Sequence, residues 1–218
     1  MPPQSRKVEW IVWGGLLLII LLISAAFVRQ RWQDSSSDAS VLFPPTAALV
    51  VPAFSLTNQF GKEISNADLQ GHVWLANIIF TRCAGACPQM TKNLAELQAA
   101  LPPESPVRLI SLTSDAAFDT TSVLKAYAEK YDAQPDRWWF LTGNKTNIAE
   151  LAVGGLKLIS NEIAPKDRLS PEDLFIHSSI LVLVDRKGYI RGTVDSLDNK
   201  GWKKKALYAI DQLLGEAP

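Results

Sequence analysis

Sulfur and imidazole are scarce in this chain, which has two cysteines, two histidines and two methionines in 218 residues. So few thiols exclude a small fold stapled by several disulfides, and also a structural zinc site built from four cysteines or from three with a histidine. Charge of either sign is not in excess: 22 basic and 22 acidic side chains give a formal net charge of zero. Four basic residues and one acidic residue lie in the first 32 positions, which leaves 18 basic and 21 acidic beyond them, a net of −3. That balance argues against a nucleic-acid partner, which would demand a basic face. The Lys203-Lys204-Lys205 run beside Trp202 reads as the solvated side of a terminal helix. No internal repeat and no low-complexity tract occurs, so a solenoid is excluded.

What is present begins with one long apolar run. Trp10 to Val28 carries no charge and is bounded by Arg6 and Lys7 before it and by Arg29 and Arg31 after it. At ~1.5 Å per helical residue it matches a hydrocarbon core of roughly 30 Å, and Trp10, Trp13 and Trp32 sit where interfacial tryptophans belong. A cleaved signal peptide is the competing reading, because Ser24-Ala25-Ala26 offers small residues, but the run exceeds the usual signal core. Residues 1–32 are therefore expected to be a single-pass membrane anchor and 33–42, polar and small, a flexible linker. Residues 43–218 are expected to form the globular domain, on the extracytoplasmic side.

Within that domain the two hydrophobic periods alternate. Phe54 to Thr57 and Lys62 to Ile64 predict a small hairpin turning through Gly61. Val73 to Phe80 predicts a strand and Pro88 to Ala100 a helix with Met90, Leu94, Leu97 and Leu101 on one stripe; Val107 to Thr113 is the next strand. Asp119 to Ser122 offers caps for a helix reaching Tyr131, and Trp138 to Leu141 is a third strand. Asn144 to Val153 reads as a short helix stopped by Gly154-Gly155, and Ser160 to Asp173 as a surface loop or lid. Ser179 to Val184 and Tyr189 to Val194 make a hairpin through Asp185-Arg186-Lys187-Gly188, and Trp202 to Leu214 closes as an amphipathic helix. This order specifies an α/β, thioredoxin-like domain with a central mixed sheet flanked by helices.

Both cysteines lie in Phe80-Thr81-Arg82-Cys83-Ala84-Gly85-Ala86-Cys87-Pro88, between a strand and a helix. A loop this short restrains the unfolded chain little, so a purely mechanical disulfide is a poor explanation for the pair. A helix starting near Cys87 is expected to lower the thiol pKa there through its dipole. His177, where the polar segment meets the hairpin strand, is placed by the topology near that corner; His72 reads as solvent-facing and Arg82 as either a thiolate partner or a solvated cation. Two thiolates and an imidazole are soft donors suited to Cu(I), zinc or iron–sulfur chemistry, and with no third cysteine copper fits better than structural zinc.

Residues 52–177 resemble the Sco/SenC family on Phe54-Ser55-Leu56-Thr57-Asn58-Gln59-Phe60-Gly61 with Asp68-Leu69-Gln70-Gly71, on the Phe80-Thr81-Arg82-Cys83-x-x-x-Cys87-Pro88 core, on Leu141-Thr142-Gly143, and on Ile176-His177-Ser178-Ser179 leading to Val184-Asp185-Arg186-Lys187-Gly188. The resemblance implies a membrane-tethered copper chaperone for the dinuclear copper centre of cytochrome c oxidase, with subunit II as partner, a copper ion as cargo, and Cys83, Cys87 and His177 as ligands. It also implies a reversible Cys83–Cys87 disulfide in the oxidised, copper-free form, and a metallochaperone more than an enzyme, one that delivers copper to that centre, reduces the centre's cysteines as a thiol–disulfide reductase, or does both. The chain departs from the family in its bare Ala84-Gly85-Ala86 insert, where Pro commonly follows the first cysteine, and in Ser114-Asp115-Ala116-Ala117, where an Asp-Pro segment is usual. A thiol–disulfide oxidoreductase or redox-signalling protein is the alternative, although such proteins usually space their cysteines by two residues and place a proline before the facing strand. A peroxidase of the peroxiredoxin type is disfavoured, because it wants Thr or Ser three residues before its cysteine, where this chain has Phe80 and Ala84.

Overall fold

The computed structural model describes residues 4–37, 42, 49–168 and 174–216, with side chains from position 10 to 26 in the first stretch. Two compact units result, residues 1–40 and 41–218. The first is α1 (Gln4–Ser37), on which residues 10–26 are apolar or small and exposed. Among the described residues no helix is long and apolar enough to cross a membrane; the described side chains of α1 stop two positions short of the apolar run that the sequence carries to Val28. Helical backbone continues over 33–37 of the expected linker, and 38–41 lie outside the described residues.

The second unit is built on one seven-stranded sheet. Its strands are β1 (Ser55–Asn58), β2 (Glu63–Ser65), β3 (Trp74–Ile79), β4 (Arg108–Thr113), β5 (Trp138–Thr142), β8 (Ile180–Val184) and β9 (Ile190–Asp195), in the order β2-β1-β5-β4-β3-β8-β9. The intervening β6 (Ser160–Glu162) and β7 (Phe175–His177) form a separate two-stranded ribbon. β3, β4 and β5 run parallel, as helical crossovers require, and the two hairpins add antiparallel strands at either side. β3 is buried throughout, because it is central and covered on both faces. Val73, Leu75 and Ile79 face one way, with Met90, Leu94 and Leu97 of α3 (Ala86–Ala100), Leu124 and Tyr127 of α4 (Thr121–Lys130) and Ile210 of α6 (Trp202–Gly215). Trp74, Ala76 and Ile78 face the other, with Leu69 of α2 (Asn66–Leu69) and Ile148 of α5 (Lys145–Ala149). The stripe read on α3 is thus the core stripe, and Thr120 caps α4 by accepting from Val123 N.

Two segments depart from expectation. The helix expected to stop at Gly154-Gly155 instead widens into a π turn over Glu150–Gly155. The glycine is needed for a tertiary reason: a Cβ at position 155 would lie 2.6 Å from Cδ and 2.9 Å from Cγ of Pro52. The segment expected to be a loop from Ser160 begins with β6, which pairs antiparallel with β7. Asn161, Glu162 and Ile176 are exposed, so backbone pairing defines this ribbon and no alternating pattern announces it. Residues 43–48 and 169–173 lie outside the described residues.

Candidate metal centre

β3 carries the chain to Phe80, and a tight turn follows in which Cys83 N donates to Phe80 O at 3.2 Å. α3 then begins at Ala86, which puts Cys87 in the first helical turn and fully buried, with Cys83 half-buried in the loop before it. The ribbon brings the third group. His177 Nε2 lies 2.9 Å from Cys87 Sγ and 3.9 Å from Cys83 Sγ. All three donor atoms fall within 4.8 Å of one another, and no other such His, Cys, Asp or Glu group occurs among the described residues. The structure therefore brings together the three residues singled out in the sequence.

Phe80 holds the imidazole in place. Its ring meets His177 edge-on with centroids 5.7 Å apart and meets Phe175 of the same ribbon at 5.2 Å. Phe80 N also donates toward Cys87 Sγ at 3.4 Å. A metal bound at ~2.3 Å to sulfur and ~2.0 Å to nitrogen separates the two donors by roughly 3.5–3.7 Å at tetrahedral to trigonal angles. The Cys83–His177 spacing is close to that value, whereas the Cys87–His177 contact is a hydrogen bond that must open by under an ångström to admit an ion.

Protonation of the pair is polarised, in the direction opposite to the one expected. The hydrogen bond from Cys87 holds the Cys83 thiol down at about 4, with His177 adding to the effect against partial burial. Cys87 is pushed up, first by sharing its proton with Cys83 and then by burial, which outweighs the donation from Phe80 N. The expected thiolate at Cys87 is therefore corrected: the helix terminus favours it, but the proton shared with Cys83 and then burial of the sulfur outweigh that pull.

Asp119 is a neighbour that the sequence pattern did not reveal. It is completely buried and accepts from Thr81 N at 3.1 Å, from Thr81 Oγ1 and from Thr113 Oγ1 at 2.5 Å, tying the residue that precedes Arg82 to the end of β4. Burial raises its pKa, and the threonine bonds oppose the rise. Arg82 does not face the thiolate. Its Nε and Nη2 donate to Asp115 Oδ2 at 3.0 and 2.5 Å, and the guanidinium carbon lies 4.2 Å from the Phe118 ring centroid. His72 sits at the opposite end of β3, with Nδ1 2.9 Å from Pro106 O, and takes no part. In the lysine run, Lys203 pairs with Glu96 at 3.0 Å and Lys205 with Asp198 at 3.5 Å, as expected of a solvated helix face.

The SCO1/SenC family model matches residues 44–212. The SCO1 protein homolog of Bacillus subtilis (strain 168) is 37% identical over 151 residues, covering 68% of this chain and 75% of that protein. The solved structure of BsSco, described as a member of the Sco family of cytochrome c oxidase assembly proteins with a disulfide switch, has a TM-score of 0.68 at 30% identity, covering 82% of this chain and 100% of that one. A SCO1/SenC family lipoprotein from Bacillus anthracis str. Ames has a TM-score of 0.65 at 26% identity, covering 76% and 95%.

Proposed function

The chain belongs to the SCO1/SenC family, and from that premise we propose that it is a membrane-tethered copper chaperone holding its cargo with Cys83, Cys87 and His177. The observation that carries the reading is the convergence of the chain's only two sulfhydryls with one imidazole, within 4.8 Å. Three soft donors leave a coordination position open, which suits an ion that must be passed on ligand by ligand. The recipient is the dinuclear copper centre of cytochrome c oxidase, in subunit II, in keeping with the assembly role ascribed to BsSco. Residues 1–32 anchor the protein, 33–42 link, and 43–218 work on the extracytoplasmic side; the uncharged run from Trp10 to Val28 supports the anchor. A mature N-terminus at Phe27, found by terminal sequencing, would show a cleaved signal instead.

The test is a copper titration of the purified protein, following the sulfur-to-copper charge-transfer band. Wild type should bind one equivalent, and His177→Ala should retain it at least about 100-fold more weakly, since loss of supporting groups alone costs metal sites 10- to 100-fold. Equal retention by both proteins would remove His177 from the ligand set.

One observation favours a second reading, thiol–disulfide reduction. An accessible low-pKa Cys83 beside a buried protonated Cys87 has the polarity of a dithiol reductant. Cys83 would attack a partner's disulfide, and Cys87 would resolve the mixed disulfide to release the partner as a dithiol. Turnover of a disulfide substrate by the copper-free protein, undiminished in His177→Ala, would favour this reading.

A further inference from the structure

We infer that Arg82 and Phe118 form a docking anchor for a partner protein that presents a carboxylate beside its own copper-receiving thiols; the inference rests on the chaperone reading above. Arg82 directly precedes Cys83, and its side chain is 44% exposed. Even so it is fixed: two nitrogens are tied to Asp115, whose side chain is 8% exposed, and its guanidinium lies over Phe118. Asp115 is held in turn by its own N–H donating to Thr113 Oγ1 at 2.9 Å. Nη1 makes no hydrogen bond among the described residues and can bind a further carboxylate oxygen.

The sign of the partner follows from what is buried. Both carboxylates near the loop, Asp115 and Asp119, are shielded, so the charge offered to solvent beside Cys83 is the guanidinium. Phe118 is itself 43% exposed, and on the His177 side of the site Ile159 and Ile176 are 54% and 59% exposed. A recipient whose sulfurs come within bonding distance of the ion must cover both flanks. Arginine and aromatic groups whose rotamers are already fixed are the residues that dominate such contacts, because little freedom remains to be lost on docking.

The experiment loads the full-length protein in detergent with one Cu(I) and titrates it with the copper-free soluble domain of a cytochrome c oxidase subunit II, at low and high salt. Arg82→Met should weaken docking and slow transfer about three- to tenfold and flatten the salt dependence, with copper retention unchanged. The double variant Arg82→Met/Asp115→Asn removes the carboxylate left uncompensated by the single change. It should behave the same, which excludes a merely damaged loop. Phe118→Ala should weaken docking without altering the salt slope. Docking and transfer by the double variant equal to wild type, or no complex between wild type and the probe, overturns the anchor while leaving copper binding intact. Failure of wild type to load copper refutes the chaperone reading itself and is seen before any partner is added.

Discussion

Titrating the reactivity of Cys83 probes the electrostatics of the centre most directly. In the reduced, metal-free protein its thiol is held at about 4, so about 99% is thiolate at pH 6, where an ordinary cysteine of pKa about 8.5 has only ~0.3%. The roughly 300-fold gain in thiolate is largely offset in rate, because intrinsic nucleophilicity falls with pKa and ~4.5 units at a Brønsted slope of 0.4–0.5 lose about 100-fold. The shape of the profile is therefore the readout. Alkylation by iodoacetamide, quantified by peptide mass, should label Cys83 at a rate nearly flat from pH 5 to 9 and leave buried Cys87 unlabelled in the native protein. Cys87→Ala should move the inflection up most, because the Cys87 hydrogen bond is the largest contribution, and His177→Ala should move it less. A Cys83 rate climbing tenfold per unit from pH 6 to 8 would refute the proton-sharing account. The pair also links stability to pH. A lowered folded pKa contributes stability that is fully present above the ordinary thiol value of about 8.5 and lost as pH falls toward about 4, so the reduced protein should become more stable with rising pH across that window. The raised pKa of Cys87 reverses the trend above it.

Gly155→Ala should destabilise the domain by about 1–3 kcal/mol in urea unfolding, because the new methyl meets the Pro52 ring at 2.6 Å; a change within error would mean that Pro52 yields freely. Asp119 has its folded pKa raised, so its ionisation costs stability as pH rises above the ordinary carboxylate value. Asp119→Asn should accordingly compare better with wild type at pH 7 than at pH 4, and the opposite ordering would show the threonine bonds outweighing burial. His177→Ala should lower stability by only about 1–3 kcal/mol, the worth of one edge-on ring contact with Phe80 and one hydrogen bond to Cys87. A loss of several kcal/mol would mark His177 as a core residue.

The parts of this protein that were legible in its sequence are those set by local period or by rarity. The α3 stripe, the β3 run that is apolar except for Asn77, and the Asp185–Gly188 turn each carry their own signal; in the turn, Asp185 Oδ1 accepts from Lys187 N and Tyr189 N at 2.9 Å and Gly188 takes φ +84°. Cys83, Cys87 and His177 stood out because so few comparable residues exist. The need for glycine at position 155 was hidden because the Pro52 ring that it accommodates lies about a hundred positions upstream. β6 was hidden because both strands of the ribbon are largely solvated. Asp119 reads as a helix cap, yet Thr120 takes that role and the carboxylate turns beneath the cysteine loop. The thiol polarity is the reverse of the expected one because the hydrogen bond between the two sulfurs, and then burial depth, neither of which periodicity reveals, outweigh the helix dipole.

The separate ribbon has a mechanical consequence. Both sulfurs are mounted at the junction of a central strand and a core helix, where displacement disturbs the whole domain, whereas the nitrogen is mounted on a three-residue ladder held down through Phe175 and Phe80. The centre thus has two stiff arms and one compliant arm. In the proposed chaperone role, releasing an ion by lifting the imidazole would work against only the local stability of that ribbon, and the scaffold carrying the sulfurs would keep its shape for the next load.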